Sequence, residues 1–556
     1  MWSTLPSIEK DCMVVMNARF DTPVVADGGF ARIVSALRDP ACYPHPVARV
    51  ELVETHISWV MLTGEYAYKI KKPVNLGFLD FTSLAARRHF CEEELRLNRR
   101  LAPDIYLETV TVTGDPARPR IGGRGPALEY AVKMRQFPQS ALLDAALERG
   151  EATAATFEAL AYRIANFHAA GRCAALTPGV DAAASMLTPV LDNFEQMLPL
   201  LDAPDDIALL GRLREWTVRE HQRPANMLGQ RLAAGRIREC HGDLHLGNIA
   251  LIDGEPTPFD CIEFDPALRW MDVMSEVAFL AMDLETHGRS DLAYRFLNTY
   301  LEHCGDYDGV ALLPFYLVYR AVVRAKTNLL RAAQPDVTPD QRDRALAVYA
   351  HYLSRADAYT RAQRGAIIIT HGLAGCGKTA LTQPLIAALG AIRVRSDVER
   401  KRLHGFTALA RTGAALDAGI YTADAGLRTY GQLAQYVHQM AGAGFPVIVD
   451  AAFLKRGQRT AFLALARGLG VPFAIVDVAA PHAELRARVA ARAAQGDNAS
   501  EATLQVLEAQ IATHEPLSAD ELACAVTVDA HLNVAAAART LCDRLAQKLQ
   551  QPPDHA

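Results

Sequence analysis

The chain has 556 residues, more than a single hydrophobic core usually supports, so it is expected to form several domains. Half of its residues are hydrophobic and 22% are charged, which is the balance of a folded globular protein and excludes a disordered or fibrous one. A formal net charge of −5 argues against a protein that coats DNA or anionic membranes.

The charge is distributed unevenly along the chain. Residues 361–556 carry 20 Lys and Arg against 16 Asp and Glu, a net of +4. Subtraction from the totals of 58 and 63 leaves 38 against 47 for residues 1–360, a net of −9. The two halves are therefore expected to have different tasks.

The cysteines and the apolar segments indicate the cellular compartment of the protein. Its ten cysteines are scattered without a CxxC pair, which is typical of neither a metal site nor a disulfide framework and fits a reducing compartment. The N-terminus lacks the pattern of a signal peptide. No charge-free apolar run reaches the ~18 residues of a membrane span. We therefore predict a cytoplasmic protein without a membrane partner.

The first third of the chain is predicted to be rich in strands. Residues 1–27 show weak periodicity and are interpreted as an N-terminal extension. Two β-branched and aromatic runs between 50 and 72 flank Thr63-Gly64 and predict a hairpin. A helix over 84–101 and strands over 105–112 and 127–136 follow. This order predicts a small β-rich lobe at 28–136 and a mostly helical lobe at 137–333.

The clearest pattern of the first half is HGDLHLGN at 241–248. The strand after it reaches an Asp-Gly turn signal, and the returning strand ends at Asp260. This order is typical of phosphoryl transfer, in which the first Asp accepts the proton of the acceptor hydroxyl while the Asn and the second Asp hold Mg²⁺ at the phosphates of ATP. We therefore predict Asp243 as the base, with Asn248 and Asp260 as magnesium ligands.

Two upstream charges complete this layout. The strand EYAYKIKK contains Lys69 in the Ala-x-Lys form of the kinase strand whose lysine reaches the phosphates of ATP. Lys71 points to the same strand face and is the alternative. On the helix over 84–101, Glu94 lies about 40° from the apolar stripe and Glu93 about 60° away on its other side, so Glu94 is the preferred partner of the lysine.

With these residues, positions 50–333 resemble the aminoglycoside phosphotransferase and choline kinase superfamily, in its bacterial branch that is fused to a P-loop domain. The segments HGDLHLGN and FDCIEFD carry most of the likeness. The resemblance implies an α+β, bilobal, protein-kinase-like domain that binds ATP. The sequence departs from the kinase pattern at the glycine-rich loop, because residues 63–65 form only a hairpin tip without GxGxxG.

Other polar residues of this half are given structural interpretations. Asp272 is expected to cap the helix that follows it. In the helical run over 319–331, Arg320, Arg324 and Arg331 share one side. That side is interpreted as a solvated face, with the binding of a substrate anion as the alternative.

A change of pattern begins at the turn-rich stretch QPDVTPD, which with a helix over about 341–363 is interpreted as a linker at 334–364. Apolar strands and helices then alternate over 365–549, before a short tail at 550–556. The strands are predicted at AIIIT and at 391–395, 446–450, 472–478 and 525–528. Their alternation with helices predicts an α/β domain with a mostly parallel sheet.

GLAGCGKT at 372–379 follows the strand AIIIT and precedes a helical run, the context in which GxxxxGK[ST] forms a phosphate cradle. Backbone N–H groups and the helix N-terminus receive phosphate there, the lysine reaches the β/γ oxygens, and the threonine hydroxyl binds Mg²⁺. The predicted nucleotide-binding residues of this loop are Gly372, Gly375, Gly377, Lys378 and Thr379.

Two further strand ends of this half carry carboxylates. The segment RSDVER at 395–400 places Asp397 and Arg400 at a strand tip that faces the cradle. The strand VIVD ends at Asp450, which is suited to Mg²⁺ or its water shell. The alternative for Asp450 is a turn residue at the end of the strand.

Three arginines, Arg486, Arg488 and Arg492, lie on a helix predicted over ELRARVAARAAQ, and arginines closing over phosphates can stabilise the charge that develops during transfer. The segment over about 365–549 resembles the P-loop kinases grouped with gluconate kinase, zeta toxins and polynucleotide 5′-kinases, often labelled AAA-type ATPases. The resemblance implies that Asp397 is the base for an acceptor hydroxyl and Arg400 a contact for its phosphate or carboxylate. It also implies that Arg488 and Arg492 are lid arginines, for which a solvated helix face is the alternative.

The leading hypothesis is a two-module phosphotransferase that uses ATP and Mg²⁺, with a small-molecule hydroxyl as the acceptor of the first module. One alternative makes the P-loop half a nucleic-acid 5′-hydroxyl kinase, which a basic cluster favours but the net charge of +4 and the lack of an aromatic platform for bases disfavour. That cluster comprises Arg393, Arg395, Arg400, Lys401 and Arg402. A third hypothesis makes the protein a regulatory ATPase whose first half is an ATP-sensing scaffold. The complete set of Lys, Glu, Asp, Asn and Asp argues against it, because a scaffold has no need of Asp243. The sequence identifies neither acceptor.

Overall fold

A computed structural model describes residues 28–55, 57–75, 79–174, 182–222, 225–335, 337–361, 364–408, 410, 412, 419–495, 502–529 and 534–550. The chain divides into two compact units. The first comprises the described parts of Met1–His287 and Pro314–Thr360, and the second those of Gly288–Leu313 and Arg361–Ala556. Among the described helices, none combines the length and the hydropathy that crossing a membrane requires.

The helices of the described residues are α1 (Gly28–Ala36), α2 (Leu84–Asn98), α3 (Leu143–Glu148), α4 (Ala154–Ala170), α5 (Ala182–Met197), α6 (Pro204–Gln222), α7 (Ala225–Ala233), α8 (Pro266–Arg269), α9 (Val273–Thr286), α10 (Ser290–Cys304), α11 (Leu313–Ala332), α12 (Pro339–Thr360), α13 (Lys378–Leu389), α14 (Ser396–Leu403), α15 (Ala423–Gly442), α16 (Arg456–Leu469), α17 (His482–Gln495), α18 (Leu504–Thr513), α19 (Ala519–Ala523) and α20 (Val534–Gln550). The strands are β1 (Glu51–Glu54), β2 (Ser58–Leu62), β3 (Tyr66–Lys71), β4 (Tyr106–Asp115), β5 (Arg118–Ile121), β6 (Ala127–Arg135), β7 (Ile237–Glu239), β8 (Ile249–Ile252), β9 (Glu255–Pro258), β10 (Trp270–Asp272), β11 (Ala366–His371), β12 (Ile392–Arg395), β13 (Pro446–Asp450), β14 (Phe473–Ala479) and β15 (Ala525–Asp529).

The β-rich lobe of the first unit is one antiparallel sheet in the order β1-β2-β3-β6-β4-β5. The predicted hairpin joins β2 to β3 and turns at Gly64, whose φ of 99° favours glycine. Tyr68 and Ile70 of β3 belong to the apolar core that includes α1. Because side chains alternate along a strand, Lys69 and Lys71 point to the opposite face.

The helical lobe is organised around α9, in which every residue except Glu285 is buried. Its first N–H groups are capped as predicted, because the Asp272 side chain accepts a hydrogen bond from the backbone N–H of Met274. The β8–β9 hairpin turns at Asp253 and Gly254, both with positive φ. This is the backbone that the Asp-Gly pair favours.

The second unit contains a five-stranded sheet in the order β12-β13-β11-β14-β15, with all neighbours parallel. Buried residues of four of these strands pack in one core with α13 and α20; they include Ile368, Ile448, Val476, Val526, Leu385 and Leu541. The predicted fold class, a bilobal kinase-like domain followed by an α/β P-loop domain, is confirmed.

The division of the chain differs from the predicted boundaries at two helices. α10 was predicted within the helical lobe at 137–333, but it belongs to the second unit, where Asn298 donates to Ala391 O (2.9 Å) and accepts from Arg393 N–H (2.6 Å). α12 was predicted as part of the linker at 334–364, but it belongs to the first unit and buries Tyr352 and Leu353. The amphipathic pattern of a helix shows that one face is buried, not which core buries it. The predicted extension at 1–27 and residues 551–556 of the predicted tail lie outside the described residues.

Candidate functional site

Glu94 of α2 lies between the two lysines of β3. Its Oε1 is 2.9 Å from Lys69 Nζ, its Oε2 is 2.8 Å from Lys71 Nζ, and all three side chains are buried. The lysines differ in their second partner, because Lys69 Nζ is 2.6 Å from Asp260 Oδ1, whereas Lys71 binds Glu263. The structure therefore brings both candidate lysines to the predicted glutamate, and only Lys69 to Asp260.

Lys69 and Glu94 stabilise each other's charged forms in this network. Burial by itself lowers the pKa of Lys69, but Asp260 and Glu94 raise that pKa well above its usual value. Burial by itself raises the pKa of Glu94, but the two lysines lower that pKa to about 2. Charges buried in this way are stable only as a connected set, so each residue constrains the geometry of the others.

The beginning of the loop at 241–248 is held by a carboxylate of α9. Glu276 Oε1 accepts hydrogen bonds from the backbone N–H groups of His241 (2.7 Å) and Gly242 (2.8 Å). Its other oxygen lies 2.7 Å from His168 Nε2. Since both oxygens are used, Glu276 fixes the backbone directly before Asp243.

The middle of the same loop is held by a second carboxylate, seven residues further along α9. Asp283 Oδ2 accepts from the backbone N–H of Leu246 (2.9 Å), and its Oδ1 accepts from the Tyr352 hydroxyl (2.6 Å). Burial by itself raises the pKa of Asp283, but nearby cationic groups and the tyrosine lower it to about 2. Asp283 is thus a charged acceptor of hydrogen bonds within the buried lobe.

Asp243 is buried, and its carboxylate is oriented by Asn248. The Asn248 Nδ2 group donates to Asp243 Oδ2 (2.9 Å) and to the Asp243 backbone carbonyl (3.0 Å). His245 Nε2 lies 3.5 Å from the same Oδ2. Burial by itself raises the pKa of Asp243, but interactions with His245, Arg324 and His241 hold that pKa below its usual value. The carboxylate is therefore available as a proton acceptor.

Asp260 follows the hairpin that begins at Asn248. The backbone N–H of Phe259 donates to Asn248 O (2.9 Å). This bond across the hairpin places Asn248 opposite the residue that directly precedes Asp260, so the two predicted metal ligands lie close together. Asp260 has a φ of 63°, and its N–H donates to the Tyr106 hydroxyl (3.1 Å). A left-handed backbone at a residue other than glycine persists only where its surroundings hold it, and such residues cluster at functional sites.

A cavity of about 220 Å³ opens beside this set. Lys69, Asp260 and Gly247 supply polar groups to its wall. The apolar side chains of the wall include Ala67, Ile105, Met134, Leu142 and Phe259. A largely apolar wall with a few polar and charged groups is typical of a small-molecule site.

The interpretation of Arg320 and Arg324 as a solvated face was wrong, because both side chains are buried. The Arg320 guanidinium lies 4.8 Å from the ring centre of Phe279, and that of Arg324 lies 5.3 Å from the ring centre of Tyr352. Stacking on aromatic rings and hydrogen bonding make the burial of a weakly hydrated guanidinium tolerable.

In the second unit, the loop at 372–379 joins β11 to α13. Gly372, Gly375 and Gly377 have φ values of 144°, 82° and 94°. A Cβ atom on Gly372 would lie 2.6 Å from the carbonyl oxygen of Val478, so only glycine fits there. Lys378 Nζ donates to the carbonyls of Gly372 and Leu373, both at 2.9 Å.

The ends of three neighbouring strands meet beside this loop. The Thr379 hydroxyl donates to Asp450 Oδ2 (2.7 Å), which joins the two predicted metal ligands of this unit. Arg395 Nε lies 3.8 Å from the same oxygen, and Arg395 Nη1 lies 2.7 Å from Glu302 Oε1. The site thus includes a carboxylate of α10.

Asp397 and Arg400 lie in α14, directly after β12. Arg400 Nη1 is 3.2 Å from Asp397 Oδ1, and the guanidinium lies 5.2 Å from the ring centre of Tyr421. Arg400 Nε is buried and has no hydrogen-bond partner among the described residues. This pair can present a carboxylate and a cation to one small molecule.

Helix α17 packs on the loop at 372–379, because a Cβ atom on Gly375 would lie 3.0 Å from Val489 Cγ2. Arg488 contacts Glu484 within this helix. Arg486 Nε lies 2.6 Å from Glu508 Oε1, and both side chains are about half exposed. The side chain of Arg492 lies outside the described residues.

Sequence reasoning missed four acidic side chains of these sites: Glu263, Glu276, Asp283 and Glu302. A signal for Glu276 and Asp283 was present, because both interrupt the apolar run of α9, and an acid inside such a run needs buried partners. For Glu263, the signal was a second lysine on β3 that required its own counter-charge.

Comparison with known proteins agrees with the division into two modules. Residues 367–517 match the family described as "AAA domain". This match lies within the second unit and includes the loop at 372–379.

Three solved kinases illustrate the structural likeness. An amicoumacin kinase in complex with AMP-PNP, Ca²⁺ and Ami is 13% identical, covers 58% of this chain and 95% of its own, and has a TM-score of 0.37. An ethanolamine kinase of Plasmodium vivax is 11% identical, with 55% and 81% covered and a TM-score of 0.33. A gluconokinase of Sinorhizobium meliloti 1021 is 20% identical, with 34% and 98% covered and a TM-score of 0.24.

Similarity to curated proteins extends over both modules. "Uncharacterized protein Rv2004c" of Mycobacterium tuberculosis (strain ATCC 25618 / H37Rv) is 32% identical over 430 residues, which cover 75% of this chain and 81% of the relative. The same values hold for "Uncharacterized protein Mb2027c" of Mycobacterium bovis. The chain therefore belongs to the protein family of which these two mycobacterial proteins are members.

Proposed function

We propose that the first unit transfers the γ-phosphoryl group of ATP to a hydroxyl group of a small molecule. The observation that carries this proposal is one connected set of polar side chains, of which Lys69 and Asp260 line the cavity. It comprises Lys69, Glu94, Asp243, Asn248 and Asp260, which are linked by ion pairs, hydrogen bonds and the β8–β9 hairpin.

In this proposal Asp243 acts as the base. Its pKa, below the usual value, keeps the carboxylate ionised at neutral pH, so it can accept the proton of the acceptor hydroxyl. The hydroxyl oxygen bonds to the γ-phosphorus as the bond to the bridging oxygen breaks, and ADP leaves. Lys69 binds the phosphates, and Glu94 and Asp260 fix the position of its ammonium group.

The donor set of the first unit fits magnesium. The amide nitrogen of Asn248 is engaged by Asp243, which leaves the amide Oδ1 for a cation. Together with the Asp260 carboxylate it provides the hard oxygen ligands that Mg²⁺ prefers. When bound, Mg²⁺ neutralises charge on the phosphates.

For the second unit we propose phosphoryl transfer to another small acceptor at the P-loop. The observation that carries this proposal is the contact of Thr379 with Asp450, directly after Lys378. Asp397 would serve as the base, and Arg400 would bind an anionic group of the acceptor.

A small acceptor is favoured over a nucleic acid because the basic cluster is not a free surface. Arg393 and Lys401 are buried, and Arg402 contacts Glu399. Cationic side chains paired in this way do not form the exposed groove that nucleic-acid backbones require. A regulatory ATPase is the remaining alternative, and it differs from a kinase in releasing free phosphate alone.

The test is incubation of the full chain with γ-labelled ATP, Mg²⁺ and a metabolite extract. The variants are Asp243→Ala and Lys378→Ala, and Glu255→Gln, at the exposed turn of the β8–β9 hairpin, is the matched control. A labelled small molecule that disappears only with Asp243→Ala supports a metabolite kinase in the first unit. If both site variants keep the labelled products of the wild type, the two-site proposal is wrong.

A second labelled product that disappears only with Lys378→Ala supports transfer by the P-loop unit. Labelled free phosphate alone, lost only with Lys378→Ala, identifies a regulatory ATPase instead. Repeating the incubation with 5′-hydroxyl oligonucleotides tests the nucleic-acid alternative, for which label must appear on the oligonucleotide.

A further inference from the structure

Helix α10 is part of the P-loop unit although its sequence lies between α9 and α11, the helices of the first unit. It covers the free edge of β12, the outermost strand of the parallel sheet. The side-chain amide of Asn298 bridges this edge by donating to Ala391 O (2.9 Å) and accepting from Arg393 N–H (2.6 Å). One side chain thus takes the place of a neighbouring strand, which fixes the position of α10 against β12.

One turn further along α10, Glu302 faces the two arginines of β12. Its Oε1 lies 2.7 Å from Arg395 Nη1, and its Oε2 lies 3.5 Å from Arg393 Nη2. The side chain of Arg402 binds the backbone carbonyl of Glu302. Glu302 is therefore held at its carboxylate by the arginines of β12 and at its backbone by Arg402.

Arg395 lies between two carboxylates. On one side is Glu302, and on the other is Asp450, whose Oδ2 is 3.8 Å from Arg395 Nε and accepts the Thr379 hydroxyl at 2.7 Å. The shorter distance is to Glu302. Without the Glu302 carboxylate, Asp450 would be the nearest counter-charge of the mostly buried Arg395 guanidinium. Because an unpaired buried cation is costly, Arg395 would then pair more closely with Asp450. An arginine paired closely with Asp450 would compete with a divalent cation for the same oxygens.

We propose that Glu302 is a positioning residue of the P-loop site: it holds Arg395 away from Asp450 and so keeps Asp450 and Thr379 as ligands for Mg²⁺. This inference rests on the proposed function of the second unit. It makes the site depend on a helix whose sequence lies within that of the first unit.

The test compares full-chain Glu302→Gln, Arg395→Gln and the double variant. The control is Asp424→Asn, which removes a carboxylate of an exposed ion pair in α15. The measured quantities are the Mg²⁺ concentration for half-maximal, Lys378-dependent ATP turnover and the Mg²⁺ dependence of fluorescent mant-ATP binding. Lys378→Ala supplies the background for both.

We expect Glu302→Gln to raise the Mg²⁺ requirement by about 10- to 100-fold, the usual effect of losing an outer partner of a metal ligand. The double variant should return towards the wild-type requirement, because the competing guanidinium is gone. A purely structural role of Glu302 predicts instead that the losses of the two single variants add. An unchanged Mg²⁺ requirement in Glu302→Gln, or a double variant worse than both singles, overturns the inference.

Three further outcomes are covered by the unfolding, binding and turnover measurements. If thermal unfolding shows that Glu302→Gln does not fold, Glu302→Asp carries the test, with a smaller shift in the same direction expected and no shift overturning the inference. If the wild type binds mant-ATP through Lys378 without turnover, the proposed transfer fails, and the binding data alone decide the role of Glu302. If no Lys378-dependent binding exists, both proposals fail.

Discussion

The carboxylate of Glu94 is shared almost equally by Lys69 and Lys71, at 2.9 and 2.8 Å, yet only Lys69 borders the cavity. Lys71 is completely buried, and its second partner is Glu263. The two lysines therefore bind Glu94 in the same way, but only Lys69 can contact a ligand in the cavity. This difference separates a role in binding phosphate from a role in stability.

We expect Lys69→Met to abolish transfer by the first unit while the protein remains folded, because the cavity loses its phosphate-binding cation. Lys71→Met should instead lower the free energy of unfolding by about 3–5 kcal/mol, since it leaves Glu94 and Glu263 with one buried cation instead of two. Labelled-product formation and urea unfolding of both variants check this pair of outcomes. A stable but inactive Lys71→Met beside an active Lys69→Met would assign the phosphate-binding role to Lys71.

The pairing of Lys69 with Glu94 could be predicted from sequence because both partners obey local periodicities. The alternation of β3 gives the lysine its face, and the angle of Glu94 from the apolar stripe of α2 separates it from Glu93. The hairpin after Asn248 was predictable because Asp253 and Gly254 favour positive φ. In each case, the prediction uses only the local pattern of one strand, one helix or one turn.

The contribution of Glu302 could not be predicted in the same way. The pattern of α10 predicts a helix with one buried face, but contacts with residues about ninety positions away decide which core receives it. The same reason explains the burial of Arg320 and Arg324, because Phe279 and Tyr352, on which they stack, lie on other helices. Residue spacing shows which charged side chains share one side of a helix, but it does not show which other elements bury that side.

Glu276 should control the geometry of the loop at 241–248 without touching a substrate. Its two oxygens accept three hydrogen bonds, whereas the glutamine of Glu276→Gln offers one oxygen and a nitrogen, so either the loop or His168 loses its partner. We expect a loss of about 1–3 kcal/mol in the free energy of unfolding. A displaced Asp243 should also slow transfer by about 100-fold. Glu285→Gln, in the same helix but away from the loop, is the control, and equal activity of the two variants would contradict the prediction.

Thr379 and Asp450 are expected to act together on the metal requirement of the P-loop site. Thr379→Val removes one oxygen of the proposed metal site, and Asp450→Asn removes its negative charge, so the Mg²⁺ concentration for half-maximal turnover should rise by about 10-fold or more. Nucleotide binding without Mg²⁺ should change little. Titration of mant-ATP with and without Mg²⁺ checks both statements, with Thr513→Val at the exposed end of α18 as the control. Loss of metal-free binding in Thr379→Val would mean that the hydroxyl holds the loop rather than the metal.

Lys326 should make the stability of the first unit depend on pH. It is fully buried, with its Nζ 3.1 Å from Gln196 Oε1, and burial lowers its pKa to about 7 although Asp192 opposes the shift. In the unfolded chain the same lysine keeps its proton up to a pH of about 10.4. Between these two values the unfolded state binds more protons, so the free energy of unfolding should rise with pH by about 1.4 kcal/mol per unit.

Lys326→Met removes this titration, so it should be more stable than the wild type at pH 6, and its advantage should shrink as the pH rises from 7 towards 10. Urea unfolding followed by tryptophan fluorescence reports on the first unit, because all four tryptophans lie before residue 271. Lys548→Met, at a more exposed lysine near the end of α20, controls for the loss of a positive charge as such. If the free energies of unfolding of Lys326→Met and the wild type depend on pH in the same way over this range, the pKa of Lys326 is not lowered in the folded protein.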